Sequence, residues 1–273
     1  MLDKEIYKGY RSLTGTSEEI NEAMGTPEFY EQFVTNEYLL ISNTDDGTTK
    51  EMRWDGNVFV PLRLPPAKVI KAKNALQRCA LDLLNNPDIP VVAVLGTYGS
   101  GKTYLAMRMG LYQVKDKGNH SKVIGIRSPW GEGRDIGFLP GDFHDKTDLF
   151  FTPLMQQLEG GEFELERLKQ LGVLESNVPY MLKGLSFNDS FIIGDEAEDF
   201  TEKEVRLIGT RVGQNSRIVF SGDYKQSLLK ANYQNPLVKM CNLLKGNPLF
   251  GCIYLEEDVR SETSKLFATL FED

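Results

Sequence analysis

The sequence predicts an α/β fold, a mainly parallel sheet flanked by helices, with a small β-rich appendage ahead of it. Three observations carry this. Residues 91–95, Val-Val-Ala-Val-Leu, form an unbroken apolar run, as a strand covered on both faces requires. Four more short apolar runs, at 122–126, 191–194, 218–221 and 252–255, alternate with helical stretches, the pattern of a parallel sheet. Ahead of residue 64, turn signals at Asp45-Asp46-Gly47 and Asp55-Gly56 separate short strand-like runs, the pattern of hairpins.

In chain order, Ser17-Glu18-Glu19-Ile20 opens a short helix and Pro27 starts a second. Residues 37–42 read as a strand, 50–54 as its return, and 58–62 as the far arm of another hairpin. Leu64-Pro65-Pro66 marks a boundary, dividing an appendage (1–64) from a larger domain (65–273). Residues 67–85 suit an amphipathic helix through Val69, Ile70, Leu76, Leu81 and Leu84, ended by Pro87 and Pro90. A helix follows the strand and glycine turn after residue 91, running through 104–111. An intercalated zone holds a loop at 137–142 and helices at 154–158 and 162–171, and a further helix spans 202–209.

Composition narrows the function classes. No stretch of eighteen apolar residues occurs, so a membrane span is not expected. The charged start, Met1-Leu2-Asp3-Lys4-Glu5, lacks a signal peptide's apolar run, and a cytoplasmic location is expected. Three scattered cysteines and two histidines show no zinc-ligand spacing, so reduced, buried thiols are expected. The net charge of −8 argues against tight nucleic-acid binding by an isolated monomer, without excluding a local basic channel.

The chemistry lies in three segments. Gly96-Thr97-Tyr98-Gly99-Ser100-Gly101-Lys102-Thr103 fits G-x-x-x-x-G-K-[ST] between a buried strand and a helix, the context that pattern needs. Its glycines let the backbone aim N–H groups at phosphate oxygens, and the helix N-terminus adds partial positive charge. Lys102 can reach the β- and γ-phosphates of ATP, and the Thr103 hydroxyl can ligate Mg²⁺. In the second segment, Phe191-Ile192-Ile193-Gly194-Asp195-Glu196, a strand delivers two acids to the sheet's C-terminal edge, where such sheets bind ligands. There Asp195 suits the Mg²⁺ shell, and Glu196 suits orienting and deprotonating a water. The third, Ser221-Gly222-Asp223-Tyr224-Lys225-Gln226, places Gln226 where it could reach the γ-phosphate or its water; alone, this signal is weak.

Together these segments resemble the PhoH family of P-loop ATPases, related to the first motor domain of superfamily 1 helicases. The likeness runs from about Lys73 to the C-terminus. It includes Arg127-Ser128-Pro129, the distinctive Gly137-Phe138-Leu139-Pro140-Gly141-Asp142, Asp195-Glu196-Ala197, Thr210-Arg211-Val212-Gly213 and Asp258-Val259-Arg260. The resemblance implies a RecA-like core, an adenine contact near Asn74 and Gln77, and a nucleic-acid phosphate contact at Arg127. It also implies a homo-oligomeric ring, a hexamer, whose active site is completed by a neighbour's Arg211 or Arg260. The segment at 38–54 is similar to the one preceding the ATPase in longer members. Those members carry an N-terminal PIN-type nuclease, for which 64 residues leave no room. The sequence departs from the family at Glu198-Asp199, where a polar Gln-Asn pair is usual, and at Lys183-Gly184-Leu185-Ser186-Phe187, which lacks an arginine. Tyr98 within the phosphate loop is also unusual.

Three functional readings follow. The first is a ring ATPase acting on RNA or single-stranded DNA. The second, in another class, is a nucleotide-gated switch or assembly factor with slow hydrolysis, which the acidic balance favours over a processive helicase. The third is a small-molecule kinase, weakened by Glu196 because a kinase must avoid activating water.

Overall fold

The apolar runs become neighbouring strands of one parallel sheet. The structure, a computed structural model, describes residues 6–128, 158, 160–226 and 235–259. Its first part holds β1 (Tyr10–Gly15), α1 (Ser17–Met24), α2 (Pro27–Glu31), β2 (Tyr38–Asn43), β3 (Thr49–Trp54) and β4 (Phe59–Pro61). Then come α3 (Ala75–Asn85), β5 (Val91–Gly96), α4 (Lys102–Leu111) and β6 (Lys122–Arg127). The remainder comprises α5 (Gly161–Gln170), β7 (Leu174–Asn177), β8 (Ser190–Asp195), α6 (Glu202–Gly209), β9 (Arg217–Gly222), α7 (Pro236–Leu244) and β10 (Phe250–Leu255).

The large sheet runs β10-β5-β9-β8-β6-β7 with every pair parallel. Alternation along each strand explains why its sequences are apolar throughout. Val92 and Val94 join α3 and α4 on one face, while Ala93 and Leu95 join Ile208, Leu237 and Cys241 from α6 and α7 on the other. This is the doubly covered, RecA-like P-loop arrangement. Strand β9 lies between β5 and β8, so the C-terminal ends of all three open on one crevice.

The N-terminal residues form a four-stranded sheet, β1-β2-β3-β4, over an aromatic cluster of Phe29, Tyr30, Phe33, Trp54 and Phe59. A buried polar network ties it to α3. Asp82 accepts from the Tyr38 hydroxyl at 2.7 Å, the Arg53 guanidinium at 2.9 Å and the Arg63 amide at 2.6 Å. The preceding chain also runs beside β10, where the Tyr254 amide donates to the Lys8 carbonyl at 2.9 Å. Only glycine fits next. Gly9 has φ +79°, and a Cβ there would lie 1.8 Å from the Cys252 carbonyl oxygen.

Two expectations need correction. The helix expected over 67–85 begins only at Ala75, because Asn74 is extended (φ −148°, ψ 176°) and its side chain caps the Gln77 amide at 2.8 Å. Strands β1 and β7 were not expected either. Both carry polar residues: β1 relies on parallel pairing with β2, and the four-residue β7 sits at a sheet edge. Residues 154–157 of the helix expected at 154–158, the loop at 137–142 and His144 lie outside the described residues. All three cysteines are buried and unbridged. Among the described residues no helix is long and apolar enough to cross a membrane.

Candidate functional site

The phosphate loop joins β5 to α4, and its glycines are demanded by position. Gly96, Gly99 and Gly101 have φ of +154°, +80° and +89°. A Cβ on Gly96 would meet the Leu255 carbonyl oxygen at 2.3 Å, so the loop lies directly against the end of β10. The Thr97 amide donates to that carbonyl at 3.1 Å, and the Val259 amide donates to Gly99 O at 3.2 Å. Lys102 Nζ lies across the loop, donating to Gly96 O and Thr97 O at 2.9 Å each.

Facing this loop, β8 ends in acids. The Thr103 hydroxyl donates to Asp195 Oδ1 at 2.8 Å, across the end of β9. Glu196 is a non-glycine residue in the left-handed region (φ 48°, ψ 46°), a conformation that proteins keep where neighbours dictate it. The following turn tucks Glu198 beneath the site, so that a Cβ on Gly222 would lie within 2.4 Å of its Oε2. A cavity of about 820 Å³ gathers Gln77, Lys102, Thr103, Asp195, Glu196 and Gln226 on its walls. Exposed Tyr98 and half-exposed Tyr104 also line it.

The electrostatics suit a cation arriving with a phosphate. Burial raises Asp195 above the usual carboxylate range, opposed first by Arg127 and then by Thr103. Burial likewise raises Asp223, opposed by Lys102, and pushes Glu198 up to about 7. A hydroxyl beside a carboxylate, among further acids, is the oxygen-donor set that Mg²⁺ takes while sharing phosphate oxygens. The loop's N–H groups and Lys102 supply the complementary anion site.

The raised Glu198 gives a testable stability effect. Its folded pKa of about 7 lies above the ordinary 4.5. The folded state therefore binds this proton more tightly, and the associated stability is complete below about pH 4.5 and lost as pH rises through 7. Glu198→Gln, which keeps volume without charge, should raise the unfolding temperature at pH 8.5. The gain is on the order of 2–3 kcal/mol. At pH 5 most of that gain should disappear. Equal melting temperatures for the two proteins at pH 8.5 would remove the buried-charge account.

The sequence-expected residues divide into groups. Gly96, Thr97, Tyr98, Gly99, Ser100, Gly101, Lys102, Thr103, Asp195, Glu196 and Gln226 all come together around the loop and its cavity. Gln77 lines the cavity too, but its amide accepts from the Lys73 N–H at 2.8 Å and donates to Ser100 O at 2.9 Å. Asn74 caps α3 and donates to Glu257 Oε2 at 3.1 Å, and it is not among the cavity's lining residues. Arg211 stands beyond α6 with Nη1 donating to Leu185 O at 3.2 Å, also away from the lining. Arg260 lies outside the described residues. Arg127 turns its guanidinium to Glu196, with Nε donating to Oε2 at 2.7 Å and Nη2 paired with Oε1. Lys71, Lys73 and Val259 line the cavity unanticipated. The only sequence signal for the two lysines was a basic pair just ahead of the Asn74 cap.

Comparison with known proteins matches this arrangement to one family. The family model described as PhoH-like protein matches residues 69–272. The chain is similar to Protein PhoH2 of Bacillus subtilis (strain 168), with 31% identity across 97% of this chain and 64% of the relative. It is also similar to Protein PhoH2 of Thermobispora bispora, 31% identical over 84% of this chain and 52% of that one. A PhoH-like protein of Bacillus subtilis (strain 168) is 31% identical over 70% of this chain and 59% of its own length. The chain thus spans about half to two thirds of these relatives.

Proposed function

The chain belongs to the PhoH-like protein family, and on that premise we propose that it is an ATPase, hydrolysing ATP with Mg²⁺ at the cavity between β5, β8 and β9. The observation that carries this is the 2.8 Å contact of Thr103 with Asp195, which joins the phosphate loop to the acidic strand end at one point. Lys102 and the loop amides hold the β- and γ-phosphates, and Thr103 and Asp195 hold the Mg²⁺ shell. A Mg²⁺ ion held by Thr103 and Asp195 would supply the charge neutralisation that phosphoryl transfer needs. Glu196 orients a water and accepts its proton as the water oxygen bonds to the γ-phosphorus and the bond to ADP breaks. Gln226 faces the same water.

The wider reading is a cytoplasmic ring, a hexamer of this chain, acting on RNA or single-stranded DNA. Residues 65–273 form the motor part, Arg127 meets a nucleic-acid phosphate, and Arg211 or Arg260 completes a neighbour's site. A nucleotide-gated switch or assembly factor is the second reading, supported by the acidic balance of −8 and by the Arg127 guanidinium resting on Glu196. Stimulation of ATP turnover by a single strand supports the first, and unstimulated slow turnover the second. Acceptor-dependent turnover would favour a kinase.

Glu196→Gln tests the hydrolytic centre. The amide keeps the shape and still orients water but takes no proton, so turnover should fall by roughly 10²–10⁴-fold. Binding of ATP with Mg²⁺ should persist, as read by titration with a fluorescent ATP analogue. Full activity would move the base elsewhere, with Glu198 next to be tried.

A further inference from the structure

Arg127 occupies an unexpected place. It is the last residue of β6 and stands in register with Asp195 of β8, one residue before Glu196. Both of its contacts to Glu196 engage carboxylate oxygens, Nε with Oε2 at 2.7 Å and Nη2 with Oε1. A carboxylate held by a charge-assisted hydrogen bond and an ion pair is not free to turn to a water until that hold is released. The left-handed backbone at Glu196 fixes where its side chain starts, which leaves the guanidinium to set where it ends. Burial lowers the Arg127 pKa from its ordinary value, and the nearby acids Asp195, Glu198 and Asp199 oppose that shift.

From this geometry we infer that Arg127 is a positioning residue that restrains the general base: hydrolysis requires Glu196 to leave the guanidinium and turn to the water. The inference rests on the ATPase reading, with Glu196 as base. The pair is easy to release. Glu196 is 44% exposed and Arg127 18%, and partly exposed pairs of this kind are worth little against solvent. A phosphate competing for the guanidinium removes the restraint. A nucleic-acid phosphate that takes over the Nε and Nη2 donors displaces Glu196, so with that geometry the strand contact proposed for Arg127 and the release of Glu196 are the same event.

The test is steady-state ATP turnover of Arg127→Ala and Arg127→Gln, without nucleic acid, in the otherwise unchanged chain and in the Glu196→Gln background. Loss of a partly exposed pair corresponds to about a five-fold change in rate. In the unchanged chain, kcat should rise by about that factor. Arg127→Lys, which keeps the charge but loses the two-atom hold, should raise kcat by less than Arg127→Gln does. In the Glu196→Gln background, removing the arginine should change nothing. In nucleotide-free protein, the losses in unfolding temperature from Arg127→Gln and Glu196→Gln should be less than additive. A fall or no change in kcat for a folded Arg127→Gln protein overturns the inference, and so does an equal rise in the Glu196→Gln background. Failure of the underlying reading looks different: Glu196→Gln alone would then hydrolyse ATP at the normal rate.

Discussion

Lys102→Ala should abolish ATP binding or hydrolysis. Lys102 opens α4 and lies across the loop on the carbonyls of Gly96 and Thr97, within reach of whatever the loop amides hold. Its charge also lowers the carboxyl groups of Asp195, Glu198 and Asp223, which burial raises. Removing it leaves a triphosphate facing those acids without the loop's own cation. Lys73, another lining cation, has its Nζ on the Val259 carbonyl at 3.0 Å rather than on the loop's own carbonyls. The helix N-terminus remains, but its partial charge is roughly half a unit and does not offset a full one. Nucleotide titration and ATP turnover on the same preparation, with an unfolding curve to show that it is folded, provide the check. Turnover near the unsubstituted rate would mean that the site is misassigned.

Some of this was legible in the residues and some was not. The five buried strands that position the site were readable because a doubly covered parallel strand must be apolar throughout, as Val91 to Leu95 is. The loop was readable because a few residue types can supply its backbone geometry and charge. Strands β1 and β7 were hidden for the opposite reason. Their polar residues, such as those of Leu174-Glu175-Ser176-Asn177, owe their extended form to partners distant in sequence. Within the site, side-chain partners chosen across strands were equally hidden. Arg127 and Glu196 are 69 residues apart, and the register of β6 against β8 is what brings them together. Gln77 shows the same limit: the resemblance implied an adenine contact near it, but its hydrogen bonds to Lys73 and Ser100 were not expected.

Arg211→Ala should leave ATP binding intact and lower hydrolysis steeply, if the active site is shared between copies. Arg211 is not on its own chain's cavity wall, as a group serving a neighbour must not be. Its Nη1 donates to the Leu185 backbone carbonyl at 3.2 Å, a contact that a stronger anion displaces readily. An arginine supplied from a neighbour is worth on the order of 10³–10⁵ in rate where it has been isolated. Arg260→Ala is to be put through the same assay, since the family resemblance leaves the choice between the two arginines open. Mixing supplies the decisive measurement. An Arg211→Ala chain carries an intact Glu196, and a Glu196→Gln chain carries an intact arginine. At a mixed interface the first provides the site and the second the missing cation, so two nearly inactive proteins should recover a fraction of normal turnover. Rescue should rise with total protein concentration, because it depends on contact between copies. A protein that stays monomeric with ATP and Mg²⁺, hydrolyses at its full rate and shows no rescue on mixing would end the ring model. The nucleotide-gated switch would then be the better reading of the same cavity.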